Sequence, residues 1–327
     1  MNNNILVTGG AGYIGSHTCL ALKESGFTPV VFDNLSTGYK DFVKWGPLVI
    51  GDLKSKEDIS RAFKDFDIKH VIHIAGKAYV NESVQNPVKY FEENISGTTN
   101  LLAQFVKSSG ENFIFSSSCS TYGDQLEGKI LESDTQNPIN PYGFTKLASE
   151  KLIKYLSKFN NFNFSILRYF NVAGADKNLE IGEIHDDETH VIPLMIKAFL
   201  GKEIFKIYGR NFQTPDGTAI RDYIHVTDLA RAHVLAFNRN HIDKKSLVCN
   251  LGSGKGYSVL QLVNEIKKLD PNFRFEFFDK RDGDPPILVA DISQSRKILD
   301  WEPIKSDIPT IINSAVAWQS KISQKDL

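Results

Sequence analysis

Tyr142 and Lys146 stand at i and i+4 in the run Tyr142-Gly143-Phe144-Thr145-Lys146, so a helix there carries a phenol and an ammonium on one face. A free phenol titrates at about 10, too high for a base at neutral pH. A lysine cation beside it favours the phenolate and brings it towards the range of proton transfer. Pro141 suits a first helical turn, and Leu152, Tyr155, Leu156 and Phe159 continue the helical period downstream. Such pairs also arise on solvated helix faces, so this one acquires meaning only with partners. One candidate partner is Ser118, just beyond the apolar run Phe113-Ile114-Phe115. A hydroxyl at the carboxyl end of a strand can bond a substrate oxygen and relay its proton. Ser117 and Ser120 read instead as turn hydroxyls that cap backbone groups.

A second chemistry is written in Asn4-Ile5-Leu6-Val7-Thr8-Gly9-Gly10-Ala11-Gly12-Tyr13-Ile14-Gly15. An apolar strand runs into Gly9, Gly12 and Gly15 and then into a helix-like segment. Glycines so placed allow a tight turn, bring backbone N–H groups to a pyrophosphate and let helix and strand pack closely. The next apolar run, Pro29-Val30-Val31-Phe32, ends in Asp33. Its carboxylate can accept hydrogen bonds from an adenosine ribose and would repel a 2′-phosphate, so the reading is NAD rather than NADP. The positive charge of an oxidised nicotinamide would join that of Lys146 in favouring a Tyr142 phenolate.

Composition narrows the function classes. A chain of 327 residues suits one large domain or two lobes, and its 41% hydrophobic content supports a sizeable core. Lys+Arg 38 against Asp+Glu 39 leaves a formal charge of −1, which provides no basic field for nucleic acid. No apolar run reaches the roughly 18 residues of a membrane span. No basic stretch precedes a cleavable apolar segment at the start, so neither a membrane partner nor secretion is expected. Cys19, Cys119 and Cys249 are scattered, without metal or disulfide spacing. The expectation is a soluble protein of a reducing cytoplasm that holds no metal.

The elements that must position these residues are legible as alternation. Strands are expected over residues 5–8, 30–33, 48–50, 71–74, 113–116 and 164–167, with helices over 13–25, 56–65, 88–108 and 142–159 between them. That order predicts an α/β fold, a doubly wound parallel sheet with ligands at the carboxyl ends of its strands. Gly9, Asp33, Asp52, Ala75-Gly76 and Ser116-Ser117-Ser118 stand at those ends. After Ala173 the segments shorten and acidic, glycine-rich loops appear at 182–188 and 213–217. Helices over 191–200, 226–238, 258–269 and 308–318 alternate there with brief strands. The expected division is a nucleotide-binding domain over 1–173 and a smaller mixed α/β lobe over 174–327. A segment near 219–240 returns to the first domain, with Ile224-His225-Val226 entering its sheet.

Taken together these residues resemble the extended short-chain dehydrogenase/reductase family, and more narrowly its UDP-glucose/UDP-galactose 4-epimerases. The matching text is 9–17, 116–123, 142–146, Arg168-Tyr169-Phe170-Asn171, 217–228 and Gly283-Asp284-Pro285 with Arg281 before it. The resemblance runs from Ile5 to about Trp318, and Asp216–Val226 is its most specific stretch. It implies an isomerase that acts on UDP-sugars with NAD through a transient 4-keto sugar. Tyr142 would be the base, Lys146 would hold the nicotinamide ribose, and Ser118 would assist proton transfer. NAD would contact Gly9, Gly12, Tyr13, Ile14 and Gly15, then Asp33, Asn34, Asp52 and Leu53. Further along it would meet Ile74, Ala75, Gly76, Asn94, Ser116 and Tyr169, besides Tyr142 and Lys146. Asn171, Arg221, Arg281 and Asp284 would hold the UDP moiety, with Tyr208 near the uracil. His190, Val191, Tyr223 and Leu288 would complete the sugar side with Ser118 and Tyr142. The forked donors of Arg221 and Arg281 suit a diphosphate on their own account. The resemblance also implies a homodimer through the helices over 88–108 and 142–159.

Rival readings differ at named positions. Sister dehydratases and decarboxylases carry an acid beside the catalytic hydroxyl, where this chain has Cys119, Ser120 and Thr121. An NADP-dependent GDP-sugar 3,5-epimerase/reductase uses a cysteine after a serine pair and a histidine before Val-Ile-Pro. Ser118-Cys119 and His190-Val191-Ile192-Pro193 match that pattern, while Asp33 and the 217–226 block oppose it. A catalytically silent NAD-binding sensor is opposed by the intact Ser118, Tyr142 and Lys146. Epimerases restricted to unacetylated hexoses tend to have tyrosine where this chain has Leu288, so a 2-acetamido sugar is expected to fit, unless Leu288 merely packs. Ala78–Ser83 resembles pentose 4-epimerases, with Lys77 and Ala78 departing from the usual register of the loop lysine.

Overall fold

The computed structural model describes residues 3–124, 128–185, 188–281 and 285–324. Its first half opens with β1 (Asn4–Thr8), α1 (Tyr13–Glu24), β2 (Thr28–Asp33), β3 (Leu48–Ile50), α2 (Lys56–Asp65) and β4 (His70–His73). A broken helical stretch follows: α3 (Val80–Gln85), α4 (Pro87–Tyr90), a π-helical turn over Phe91–Ser96, and α5 (Gly97–Lys107). Then come β5 (Asn112–Ser118), α6 (Pro141–Asn160), β6 (Asn163–Tyr169) and the short β7 (Asn171–Ala173). The remainder is α7 (Val191–Gly201), β8 (Phe205–Tyr208), β9 (Ile220–His225), α8 (Val226–Asp243), β10 (Leu247–Leu251) and β11 (Gly256–Ser258). It closes with α9 (Val259–Leu269), β12 (Phe275–Phe278), β13 (Ile287–Leu288), α10 (Ser293–Leu299) and α11 (Ile308–Ser323).

The main sheet is seven-stranded and parallel throughout, in the order β3-β2-β1-β4-β5-β6-β10. Residue alternation explains why both of its faces are covered. Ile5 and Val7 point to one side, into a core with Cys19 and Leu22 of α1 and Leu229 and Phe237 of α8. Leu6, between them, points to the other side, into Ile59 and Phe63 of α2 and Leu101 and Phe105 of α5. A strand buried on both faces reads as a continuous apolar run, as β1 does. Strand order reverses between β1 and β4, so a crevice opens beyond their carboxyl ends. A smaller sheet, β11-β9-β13 with β7 beside β9, and the pair β12-β8 build the second unit.

Two sequence expectations are corrected here. Ile224-His225-Val226 does not enter the main sheet: Ile224 and His225 end β9 in the smaller sheet and Val226 starts α8. The strand that returns is β10, whose residues pair with β6 from Leu247↔Ser165 to Leu251↔Tyr169. The helix expected over 88–108 is interrupted, because Phe91–Ser96 adopts π-helical hydrogen bonding before α5 resumes. The wider turn aims Asn94 inward, where it is buried. Its Oδ1 accepts from Lys77 N (2.8 Å), while its Nδ2 donates to Lys77 O (3.0 Å) and Thr145 Oγ1 (3.1 Å). Such π turns cluster at functional sites, and this one fixes the loop after β4.

Candidate active site

The crevice holds a cavity of about 410 Å³ lined by the β1–α1 turn, the ends of β2, β4 and β5, and the start of α6. Gly9 turns the chain at φ +70°, and Gly15 packs α1 so closely that a Cβ there would lie 2.0 Å from Gly9 O. Gly12 caps α1 without a side-chain partner, so the first-turn amides of Tyr13 and Ile14 face the cleft uncapped by any side chain. Asp33 accepts from Ala11 N (3.0 Å) and Leu35 N (2.8 Å), which locks the acid and the glycine turn together. Burial raises its carboxyl above the usual range against those two bonds. Open helix amides, a turn that only glycine fits and an acid at the end of β2 suit a dinucleotide pyrophosphate and ribose. Asn34, Asp52, Leu53, Ile74, Ala75 and Gly76 line the same cavity. Asn94 acts behind it, through Lys77. Tyr13 faces the cavity too, but its hydroxyl donates to Gly174 O (2.6 Å) and ties α1 to the chain after β7.

Ser118, Tyr142 and Lys146 meet on the opposite wall. Asn140 caps α6 by accepting from Gly143 N (2.8 Å), and Pro141 fills the first helical position, so Tyr142 emerges in the first turn. A Cβ at Gly143 would lie 2.4 Å from Ser120 O, which is how closely α6 rides on the turn after β5. That approach brings Ser118 beside Tyr142, where its hydroxyl works against the effect of burial on the phenol. Lys146 Nζ donates to Ser116 O (2.8 Å) and lies 5.9 Å from the centre of the Tyr142 ring. A Gly143→Ala chain should therefore keep its fold while losing up to about 10²-fold in kcat, since a displacement of about 1 Å can cost that much. Stopped assays beside thermal melts would check it.

Burial sets the electrostatics of this wall. It pushes the Tyr142 phenol up to about 12, with the Ser118 bond acting against it. It also pulls the Lys146 ammonium down to about 8. The expected lowering of the Tyr142 phenol invoked Lys146 together with the charge of an oxidised nicotinamide; the protein's own groups, with burial foremost, hold the phenol above its ordinary value. Cys119 lines the cavity beside Ser118, and burial pushes its thiol up to about 11, so it stays a packed thiol. Tyr169 donates to His233 Nε2, whose Nδ1 bonds Leu229 O (2.9 Å), and this fixes the ring at the cavity wall. His233 lay outside the sequence reading because it sits inside the apolar face of α8.

The residues expected on the sugar and UDP side are brought together less completely. Asn171 and His190 line the cavity. Asn171 Nδ2 donates to Asp222 O (3.1 Å), joining β7 to β9. Arg221 and Leu288 are register partners in β9 and β13. Leu288, like Cys119, packs against a cluster that includes Tyr122 and Phe170. The Arg281 guanidinium stacks 5.3 Å from the centre of the Tyr208 ring. Val191 opens α7 and packs on the core of the smaller unit. Tyr223 departs from expectation: it is buried in that same core and its hydroxyl meets no hydrogen-bond partner. Asp284 lies outside the described residues. Sequence reasoning missed Asp222, which is buried and accepts from Ser253 N, Ser253 Oγ, Gly254 N and Ala290 N at 2.6–3.1 Å. It holds the loops beside Arg221 and Leu288.

Comparison with known proteins agrees with this geometry. Residues 5–252 match the NAD dependent epimerase/dehydratase family. A UDP-glucose 4-epimerase of Rhizobium meliloti (strain 1021) is 44% identical over 99% of both chains. The crystal structure of a UDP-glucose 4-epimerase from Brucella ovis in complex with NAD superposes with a TM-score of 0.93 at 44% identity, covering 96% of this chain and 98% of that one. A UDP-glucose-4-epimerase from Stenotrophomonas maltophila, solved with bound NAD and formylated UDP-arabinopyranose, gives a TM-score of 0.95 at 33% identity, covering 98% and 99%.

Proposed function

This chain belongs to the NAD dependent epimerase/dehydratase family, and we propose that it interconverts UDP-glucose and UDP-galactose by reversible 4-epimerisation. The observation that carries this reading is the meeting of Ser118, Tyr142 and Lys146 in one cavity with the glycine turn and Asp33. NAD bound there supplies the hydride acceptor and donor for the sugar's C4, and its positive charge when oxidised. Tyr142 takes the proton of the 4-hydroxyl, through Ser118 or directly, as C4 is oxidised. It returns that proton when the 4-keto sugar is reduced on its opposite face. Lys146 holds the nicotinamide ribose and, as a cation, stabilises the phenolate that burial opposes. Arg221 and Arg281 anchor the diphosphate while Tyr208 offers a face to the uracil, so the hexose can turn without loss of UDP.

Purified protein with no added NAD, given UDP-galactose and UDP-N-acetylgalactosamine separately and followed by NMR, tests this. Turnover of both supports the epimerase and an open pocket at Leu288. Turnover of UDP-galactose alone keeps the chemistry and rejects the open pocket. Turnover of neither, even with NAD supplied, overturns the assignment and favours a pentose or GDP-sugar substrate. Leu288→Tyr adds a ring beside Cys119 and Phe170. It should cut turnover of the acetylated sugar by about tenfold or more and leave UDP-galactose nearly untouched. Equal losses on both sugars would mean that Leu288 only packs.

We also place the protein in a reducing cytoplasm as a homodimer. Its three cysteines are free, and no described helix is long and apolar enough to cross a membrane. Val84, Val88 and Phe91 on the broken helical stretch, with Phe144, Tyr155 and Phe159 on α6, leave large apolar side chains in solvent. Phe91 and Phe144 touch edge to face across the two elements. A second copy covering this patch would remove its exposed area. Sedimentation should give a dimer for the native chain and a monomer for Val88→Asp, whereas a native monomer rejects the assembly.

A further inference from the structure

We propose that Glu183, His185, Glu188 and His190 form a binding site for a divalent transition cation such as Zn²⁺ at the edge of the active-site cavity. One ligand atom from each residue fits within a group whose members all lie within 4.8 Å of one another. Four distances within that group are on the scale of a coordination shell. His185 Nδ1 is 3.4 Å from Glu183 Oε1 and 3.0 Å from Glu188 Oε2. His190 Nδ1 is 3.5 Å from Glu183 Oε1 and 2.9 Å from Glu188 Oε1. A tetrahedron with metal bonds of about 2.0–2.2 Å has edges of roughly 3.3–3.6 Å; the two Glu183 distances fall in that range, while each Glu188 oxygen hydrogen-bonds one imidazole and would give up that bond to an entering ion. Two imidazoles and two carboxylates form a borderline donor set that suits zinc, cobalt or nickel better than magnesium or calcium.

Charge and burial point independently to a cation. Glu183 is only 6% exposed, yet its carboxylate accepts no hydrogen bond among the described residues. Its nearest polar neighbours are the two imidazoles, at 3.4 and 3.5 Å from Oε1, and a buried carboxylate held by such contacts alone is costly. Glu188 accepts from Thr189 N (2.8 Å) and His190 N (2.7 Å), which fixes its carboxylate towards the group. No lysine or arginine pairs with either acid among the described residues; their only ion-pair partners are the two histidines. Two carboxylates and two imidazoles thus face one small volume, and a divalent ion held there would balance both acids. Tyr79 covers both imidazoles, at 5.7 Å from His185 and 6.3 Å from His190. Glu183, His185 and His190 also line the cavity that contains Tyr142, so an ion held here borders the substrate.

The test is titration of the purified, chelator-treated chain with Co²⁺, read by visible absorption. The expected result is saturable binding of one ion per chain, with the intense bands of tetrahedral coordination, displaced by Zn²⁺. His185→Ala, at a side chain only 20% exposed but not in the core, and Glu183→Gln should each weaken binding by at least about tenfold. Circular dichroism checks that each variant folds. A His241→Ala control, which dismantles the separate group His70, Glu111 and His241, should leave the signal unchanged. Absence of saturable tetrahedral binding overturns the proposal, as does full binding in His185→Ala. Loss of the signal in the His241→Ala control alone overturns it too, by moving the ion to the other group.

Discussion

Replacing Tyr142 by Phe is expected to lower kcat by about 10²–10⁴-fold while NAD stays bound. The substitution removes one oxygen and its interaction with the neighbouring Ser118 hydroxyl, and little else. The ring is almost fully buried and packs edge-on against Tyr90 at 6.5 Å, a contact that Phe keeps. The glycine turn, Asp33 and Lys146 are untouched, so cofactor content measured after denaturation should match the native chain. The melting temperature should change little, because a hydrogen-bonded hydroxyl contributes only about 1 kcal/mol. Turnover within threefold of the native rate would reject Tyr142 as the base, whatever happens to NAD.

Glu150→Ala is expected to destabilise the fold by about 3–5 kcal/mol, the largest loss foreseen for any single side chain. Glu150 is fully buried and receives a forked pair from Arg168: Nε to Oε1 at 2.9 Å and Nη2 to Oε2 at 2.7 Å. Ser117 Oγ donates to the same Oε1, and Arg168 Nη1 continues to the Tyr122 hydroxyl (2.7 Å), which donates to Asn250 Oδ1 (2.7 Å). Alanine would leave a guanidinium that is 2% exposed without its anion. The double variant Glu150→Ala/Arg168→Met should lose less than Glu150→Ala alone, because it removes the stranded charge as well. Burial raises the Glu150 carboxyl, but the Arg168 bonds outweigh it and hold it below the usual range. Its folded pKa is thus depressed, so the stabilisation is present above about pH 4.3 and lost as pH falls through the folded value. Urea unfolding of native and Glu150→Gln chains should therefore converge in acid. A constant gap down to pH 3 would contradict the pairing. Because Ser117 lies between Ser116 and Ser118, the same network steadies the end of β5 that carries the proposed Ser118.

This network also marks where the sequence stops being readable. β1, α1 and β2 could be read because their signals are local: Ile5, Leu6 and Val7 alternate between two covered faces, and Gly9 to Gly15 punctuate the turn. Lys56–Asp65 matched residue for residue, since Ser55 caps it by accepting from Asp58 N and its apolar residues keep one face. Arg168, Glu150, Tyr122 and Asn250 come from four separate elements, and nothing in their spacing announces that they meet. The returning strand was misplaced for a related reason. Ile224 is apolar and does pack into the main core. The strand that joins the sheet contains Asn250, which looks polar until its side chain is seen bonding Ile130 O (2.8 Å). The π turn at Phe91–Ser96 leaves no mark on a helical period. Tyr142, Lys146 and Ser118 were legible as residue types, but the rise that burial gives the Tyr142 phenol required the packed structure. The same holds for the meeting of Glu183, His185, Glu188 and His190, of which the first three read in sequence as one more acidic loop and His190 as a sugar-side residue.

Deuterium placed at C4 of UDP-galactose offers the most direct test of the central claim, that the hydrogen removed from C4 is held in the cavity and returned to the same carbon. With purified protein in ordinary water, NMR should find the label wholly retained at C4 of the UDP-glucose formed. Loss of the label to solvent would contradict the account, because it would mean that C4 inverts by proton exchange rather than by the oxidation and reduction that Tyr142, Ser118 and Lys146 are built to serve.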